Sequence, residues 1–383
     1  MLTLIQNADL YAPAHLGLGE VLIEGDKIGM VGRHLGIPED LPGLTVVDAQ
    51  GRKLVPGFID LHVHVTGGGG EDGFSSRAPE SRLTDFTTAG VTTVLGLLGT
   101  DGIARSLETL YAKVCGLREE GLSAWMLTGS YGYPSATLTG SVERDLVLID
   151  RCMGAKIAIS DHRSSELTYE ELLRLATQVR RGAMLGKKAG VLTIHMGDGG
   201  ENLEKLFRAA EESEVPLNTF LPTHVGRNPD ILDDAIEWIR RGGQADFTAG
   251  ETAPGGTARM MVKAIHEGAD PARMTLSSDA FGSQPRFDEA GNCVGLCYTT
   301  SHVLGKELRN LVFQEGVPLE EALPFLTANP ARVLRLEGRK GCIVPGADAD
   351  VLLLEDDLGI DSVYAMGRAM IQHKTVLAKG RFE

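Results

Sequence analysis

The chain has 383 residues, 43% hydrophobic and 23% charged, an ordinary composition for a water-soluble protein with length for a large core. Its formal net charge of −15 argues against a nucleic-acid or anionic-membrane partner, although a few arginines can reverse the potential inside a cleft. Five widely spaced cysteines without a C-x-x-C pair do not make a disulfide framework. The N-terminus lacks a signal-like apolar stretch, and no segment approaches the ~20 apolar residues of a membrane span, so a reducing cytoplasm is the expected compartment.

In chain order, residues 2–5, 19–23, 27–31 and 44–48 read as short strands with turns. Next comes the most informative run, Pro56-Gly57-Phe58-Ile59-Asp60-Leu61-His62-Val63-His64-Val65. It is apolar and partly β-branched, with Pro-Gly before it and glycines 67–70 behind, as expected of a buried strand that ends in a closely approaching loop. On a strand, residues i and i+2 share a face, so His62 and His64 converge as a metal site requires. The middle of the chain then alternates. Strand-like runs at 54–65, 91–98, 124–130, 155–160, 191–197, 217–225, 245–250 and 274–279 are separated by helix-like stretches such as 168–187, 202–212, 230–241 and 257–266. This pattern predicts an α/β fold, a (β/α)8 TIM barrel. Strand-like runs return at 350–355, 362–366 and 376–379. The two β-rich ends suggest one small β-sandwich domain, residues 1–54 plus 336–383, beside a barrel of residues 55–335.

Chemistry in such a barrel sits at the C-terminal ends of the strands. There the first strand carries His62 and His64, the fourth Lys156, the fifth His195, the sixth His224 and the eighth Asp279. The other histidines, 15, 34, 162, 266, 302 and 373, fall mostly in turns or helices. Four histidines and an aspartate suit zinc, with cobalt, manganese and nickel as alternatives. They are too many for one tetrahedral ion and suit two, provided a bridging ligand exists. An unmodified lysine is a poor bridge.

These residues resemble the amidohydrolase superfamily. The loops at 67–73, 139–143, 158–164, 195–198, 221–228 and 276–285 resemble, within it, the bacterial isoaspartyl (beta-aspartyl) dipeptidases, which are metallopeptidases. The resemblance runs over most of the chain, including the terminal β domain. It implies that Lys156 is carboxylated and bridges two divalent ions, most simply Zn2+. His62 and His64 would hold the more buried ion and His195 and His224 the other. Asp279 would ligate the first ion and act as general base and then acid in hydrolysis of the β-linked amide by hydroxide formed between the ions. The substrate would be an isoaspartyl dipeptide, with an ammonium group and two carboxylates to recognise. By the same resemblance Glu71 pairs with the ammonium, with Gly69 and Gly70 offering close backbone approach. Arg163, Arg227 and Ser283 take carboxylates, and Thr100 lines the pocket. Tyr131, preferred over nearby Tyr133, donates to the scissile carbonyl oxygen. A cytoplasmic homo-oligomer, with an octamer as the candidate size, is implied as well. The alternatives are a dihydroorotase-, hydantoinase- or deacylase-type amidohydrolase, for which a cyclic substrate would have no use for an ammonium partner at Glu71, and a metal-free, non-catalytic scaffold.

Overall fold

Gly57 divides the apolar run that begins at Leu54. The sequence suggested one strand over 54–65; the computed structural model, which describes residues 2–250, 256–287 and 293–383, has two. Lys53–Pro56 joins the terminal β domain, parallel to Leu2–Tyr11 and antiparallel to Val351–Leu354, and Phe58–Val63 opens the barrel. The junction requires glycine. A Cβ on Gly57 would lie 2.2 Å from the Thr92 hydroxyl oxygen, so only glycine passes there.

The eight barrel strands are Phe58–Val63, Val91–Gly96, Ser123–Gly129, Cys152–Ile159, Val191–Met196, Phe220–Thr223, Ala245–Thr248 and Met274–Ser277. They pair in chain order, every pair parallel. The ring closes through a parallel bridge between Val63 and Ala280, where the His64 N–H donates to the Ala280 carbonyl at 2.9 Å. All residues of these strands are buried, which is why they read as unbroken apolar runs rather than alternating ones. The sixth run is shorter than expected. Residues Leu217–Thr219 form a 3-10 turn after Pro216, and the strand starts at Phe220.

Outer helices return the chain to the bottom of the barrel. Tyr169–Gly186 shows why they form where they do. Thr168 and Glu171 make a reciprocal capping box, and Leu172, Leu175, Ala176, Val179 and Ala183 recur at helical spacing on the buried face. The helix ends at Lys187, in the left-handed region at φ 51°. Pro229–Arg240 starts on an Asn228 cap with proline at its first position and buries Trp238 completely. Each large side chain buried in this way contributes roughly 1.5–3 kcal/mol.

The terminal β domain is a mixed nine-stranded sheet drawn from both ends of the chain. Ile5, Val21, Ile23, Ile28, Val351, Leu353 and Tyr364 share its separate core. The strand Arg368–Gln372 was not anticipated, and residues 376–379 contribute only the last residue of Thr375–Val376. A hairpin of Gln284–Phe287 with Cys293–Cys297 follows the eighth barrel strand. No helix among the described residues is long and apolar enough to cross a membrane.

Candidate active site

Strand ends of the barrel bring the polar side chains to one mouth. The rings of His62 and His64 are 5.6 Å apart, those of His62 and His224 5.1 Å, and those of His195 and His224 4.5 Å. Lys156 Nζ is 3.1 Å from His62 Nε2. Asp279 Oδ1 lies 3.4 Å from His62 Nε2 and 3.1 Å from His64 Nε2. His224 and Asp279 reach inward from left-handed backbone, at φ 65° and 50°. Non-glycine residues held there store about 1–3 kcal/mol each, a strain that clusters at functional sites.

Hydroxyls and carboxylates behind the histidines aim them. Thr223 donates to Asp246 Oδ2 at 2.8 Å, so its oxygen accepts from His62 Nδ1 at 3.3 Å and leaves Nε2 toward the centre. Asp246 also accepts from Thr275 and Ser277, both at 2.6 Å. Thr248 meets His224 Nδ1 at 2.8 Å. His195 contacts Asp161 through Nε2 at 2.9 Å and the Tyr131 hydroxyl through Nδ1 at 2.7 Å. Glycines leave His64 its space. A Cβ on Gly99 would stand 2.8 Å from the ring, and Gly68 and Gly282 approach it almost as closely.

Does this pocket fit a divalent metal? His62, His224 and Asp279 each offer a ligand atom, all within 4.8 Å of one another. Burial drives His62 and His224 well below the ordinary imidazole range and His195 to about 3, which leaves their lone pairs available. Asp279 feels burial pushing its pKa up, but His62, His64 and Lys156 outweigh it and hold the carboxylate ionised. Burial lowers Lys156 to about 7, against the pull of Asp279 and Asp246. A buried amine lowered this far has a substantial neutral, nucleophilic fraction at physiological pH, as carboxylation requires. The donor set therefore fits.

Above this cluster opens a cavity of about 540 Å³. His64, His195, His224 and Asp279 form part of its wall, and His62 and Lys156 are fully buried. Gly69, Glu71, Thr100, Tyr131, Arg163, Arg227 and Ser283 also line it, and Gly70 follows Gly69 at φ 105°. Tyr133 packs instead against the core. Glu71 Oε1 accepts from Ser283 at 2.8 Å, Thr100 at 3.0 Å and Arg163 Nη1 at 3.4 Å. Arg227 Nη1 donates to the Met196 carbonyl at 3.0 Å. Burial raises the Tyr131 pKa, so its hydroxyl stays a donor. Sequence reasoning passed over Asp161, Asp246 and the cavity residues Gly99, Asp198, Thr248, Gly250, Gly282, Gln284 and Leu296, and it set aside His162, which also lines the cavity. Of these, Asp161 had a readable signal as a carboxylate two positions before Arg163.

A family model described as "Amidohydrolase family" matches residues 54–380. Among solved structures, the beta-aspartyl dipeptidase of Fervidobacterium islandicum AW-1, in complex with beta-Asp-Leu dipeptide, is 41% identical, covers 98% of each chain and superposes with a TM-score of 0.91. A D-hydantoinase at 16% identity, covering 99% of this chain and 97% of its own with a TM-score of 0.70, shares the fold. An adenine deaminase of Geobacillus kaustophilus is 25% identical over 92% of this chain and 55% of its own length. The chain spans a little over half the length of the first such curated relatives it matches.

Proposed function

We propose, from the premise that the chain belongs to the metal-dependent amidohydrolase family, that it hydrolyses the β-linked amide bond of isoaspartyl dipeptides. One observation carries this reading: Glu71, Arg163 and Arg227 share a single cavity wall with the histidine–aspartate cluster. A β-aspartyl dipeptide has an α-ammonium, an adjacent α-carboxylate and a second carboxylate at its C-terminus. Glu71 and the two guanidiniums match that charge pattern, and a cyclic amide has no group for Glu71. The beta-Asp-Leu ligand of the 41%-identical relative supports the same choice.

His62 and His64 would hold one divalent ion and His195 and His224 a second, with carboxylated Lys156 between them and Asp279 on the first. Zn2+ suits these nitrogen and oxygen donors. When bound, such ions supply Lewis acidity toward the scissile carbonyl and toward a water. The chain's own groups do the rest. Glu71 anchors the ammonium, and the two arginines and Ser283 anchor the carboxylates, with Thr100 and the backbone at Gly69 and Gly70 closing the pocket. Asp279 accepts the proton of the attacking water at a carboxylate oxygen and delivers it to the departing amine. The Tyr131 hydroxyl donates to the carbonyl oxygen as negative charge develops, a contribution of about 3 kcal/mol where such donors have been removed elsewhere. The catalytic barrel is assigned to residues 55–335 and the accessory β domain to 1–54 with 336–383, the strand Lys53–Pro56 carrying the terminal sheet two residues past that boundary. A cytoplasmic homo-oligomer, up to an octamer, completes the reading, and clearance of isomerised aspartyl peptides from protein turnover is its physiological counterpart.

The test is a comparison of β-Asp-Leu, α-Asp-Leu and dihydroorotate with the zinc-loaded protein. Turnover confined to β-Asp-Leu is expected. Hydrolysis of dihydroorotate without cleavage of the β-linked peptide would replace the dipeptidase reading with a cyclic-amide one.

A further inference from the structure

Asp161 stands immediately beyond the fourth barrel strand, with its side chain only 4% exposed. Its Oδ2 meets His195 Nε2 at 2.9 Å and accepts from Arg163 Nη2 at 2.7 Å. Its Oδ1 accepts from Arg163 Nε at 2.9 Å and from the Arg163 backbone N–H at 2.8 Å. Four nitrogens thus converge on one carboxylate.

Two consequences follow from donor chemistry. A carboxylate gripped by the fork of a guanidinium is an acceptor only, so His195 Nε2 carries the proton and Nδ1 presents its lone pair, which accepts from the Tyr131 hydroxyl at 2.7 Å here and which an ion would take in place of that hydroxyl. Histidines that bind metals ordinarily hand their other N–H to such a partner, which fixes the ring's tautomer and orientation. On the other side, Asp161 occupies Nε and Nη2 of Arg163, and the remaining nitrogen, Nη1, is the one that reaches Glu71 Oε1 at 3.4 Å in the cavity wall. A surface ion pair would need neither the contact with His195 nor this geometry.

We propose that Asp161 is a positioning residue that joins the ion-binding and substrate-binding halves of the site: it selects Nδ1 of His195 as the nitrogen that binds an ion, and it aims Nη1 of Arg163 at a substrate carboxylate. The action on Arg163 rests on the dipeptidase reading above; the action on His195 does not. Loss of Asp161 therefore weakens two functions that are otherwise separately encoded.

The experiment uses zinc-loaded Asp161→Asn, Arg163→Ala and the double variant. Zinc retention is measured against EDTA without substrate, and KM and kcat are measured for β-Asp-Leu. In Asp161→Asn one of the two zinc ions is expected to bind ~10- to 100-fold more weakly. KM should rise about ten-fold in Asp161→Asn through the lost aim of Arg163. The double variant should show a KM no higher than Arg163→Ala alone yet keep the zinc defect. Wild-type zinc retention in Asp161→Asn, or KM effects that multiply in the double variant, would overturn the assignment. If Asp161→Asn does not accumulate folded, Asp161→Glu carries the test, with smaller changes in the same two directions expected and wild-type values in both overturning it. Failure of the wild type to cleave β-Asp-Leu would end the dipeptidase reading, while zinc retention would still decide the link to His195.

Discussion

Asp279 meets two requirements in one side chain. In the proposed reaction it must stay ionised among buried groups and exchange a proton during each turnover. His62, His64 and Lys156 secure the first against the effect of burial, and the left-handed backbone at φ 50° presents the carboxylate to the cavity. In the proposed reaction, Asp279→Asn keeps one oxygen for a metal and loses the base. It is expected to lower kcat by roughly 100- to 10,000-fold while most of the bound metal remains, measured by steady-state kinetics and elemental analysis on one preparation. Near-normal kcat would remove Asp279 from proton transfer. Residues of this kind were legible because their types are rare at strand ends: four histidines, a lysine and an aspartate at one rim. Asp246 and Asp60 were not, and Asp161 was legible only through its place two positions before Arg163. A carboxylate that accepts from hydroxyls and ring nitrogens across the barrel looks, in one dimension, like any loop or strand aspartate. Asp60 illustrates this, since its partners Ser278 and Ser301 lie far along the chain.

Elements place these residues through what they leave out as much as through what they contain. The turn after the second barrel strand passes so close to His64 that a Cβ at Gly99 would sit 2.8 Å from the ring. Gly99→Ala must push that imidazole or the loop. Crowding of this kind typically destabilises by about 1–3 kcal/mol. Gly99→Ala is expected to lower Tm by several degrees and to lose metal. Gly116→Ala, in the helix Leu107–Glu119 with open space around it, is expected to hold or raise Tm through helix propensity. Thermal unfolding and zinc content of the two variants compare them directly, and equal behaviour would show that His64 is not held by close backbone approach. The helices and barrel strands could be read from apolar runs and caps because both are local. The missed strand Arg368–Gln372 has a different cause. It pairs with its neighbour through a two-residue turn, Met366-Gly367, whose residues both have positive φ, and methionine is not a residue that announces such a turn.

Between barrel and β domain, beside apolar packing of Leu352, Leu354, Val363 and Ile371 into the barrel's core, lies a buried lysine that no sequence pattern singled out. Lys340 Nζ donates to Ser123 Oγ of the third barrel strand at 2.6 Å, and pairs with Asp348 at 2.9 Å and Asp350 at 2.5 Å beside the terminal sheet. Such a pair is a poor source of net stability, but removing one partner strands a charge. Any docking of the β domain that separated Lys340 from Asp348 and Asp350 would leave a buried charge unpaired. That the two chain ends make one β domain was foreseeable from their matching strand patterns; that Leu352, Leu354, Val363 and Ile371 share a core with the barrel, with Lys340 as a polar tie beside them, required the tertiary structure. At this scale the function depends on whether the barrel mouth holds two ions bridged by a modified Lys156. Elemental analysis of wild type and Lys156→Ala, purified side by side with zinc, measures this. Two ions per chain are expected in the wild type and no more than one in the variant. Fewer than one in the wild type, or two retained in Lys156→Ala, would contradict a bridged two-ion centre.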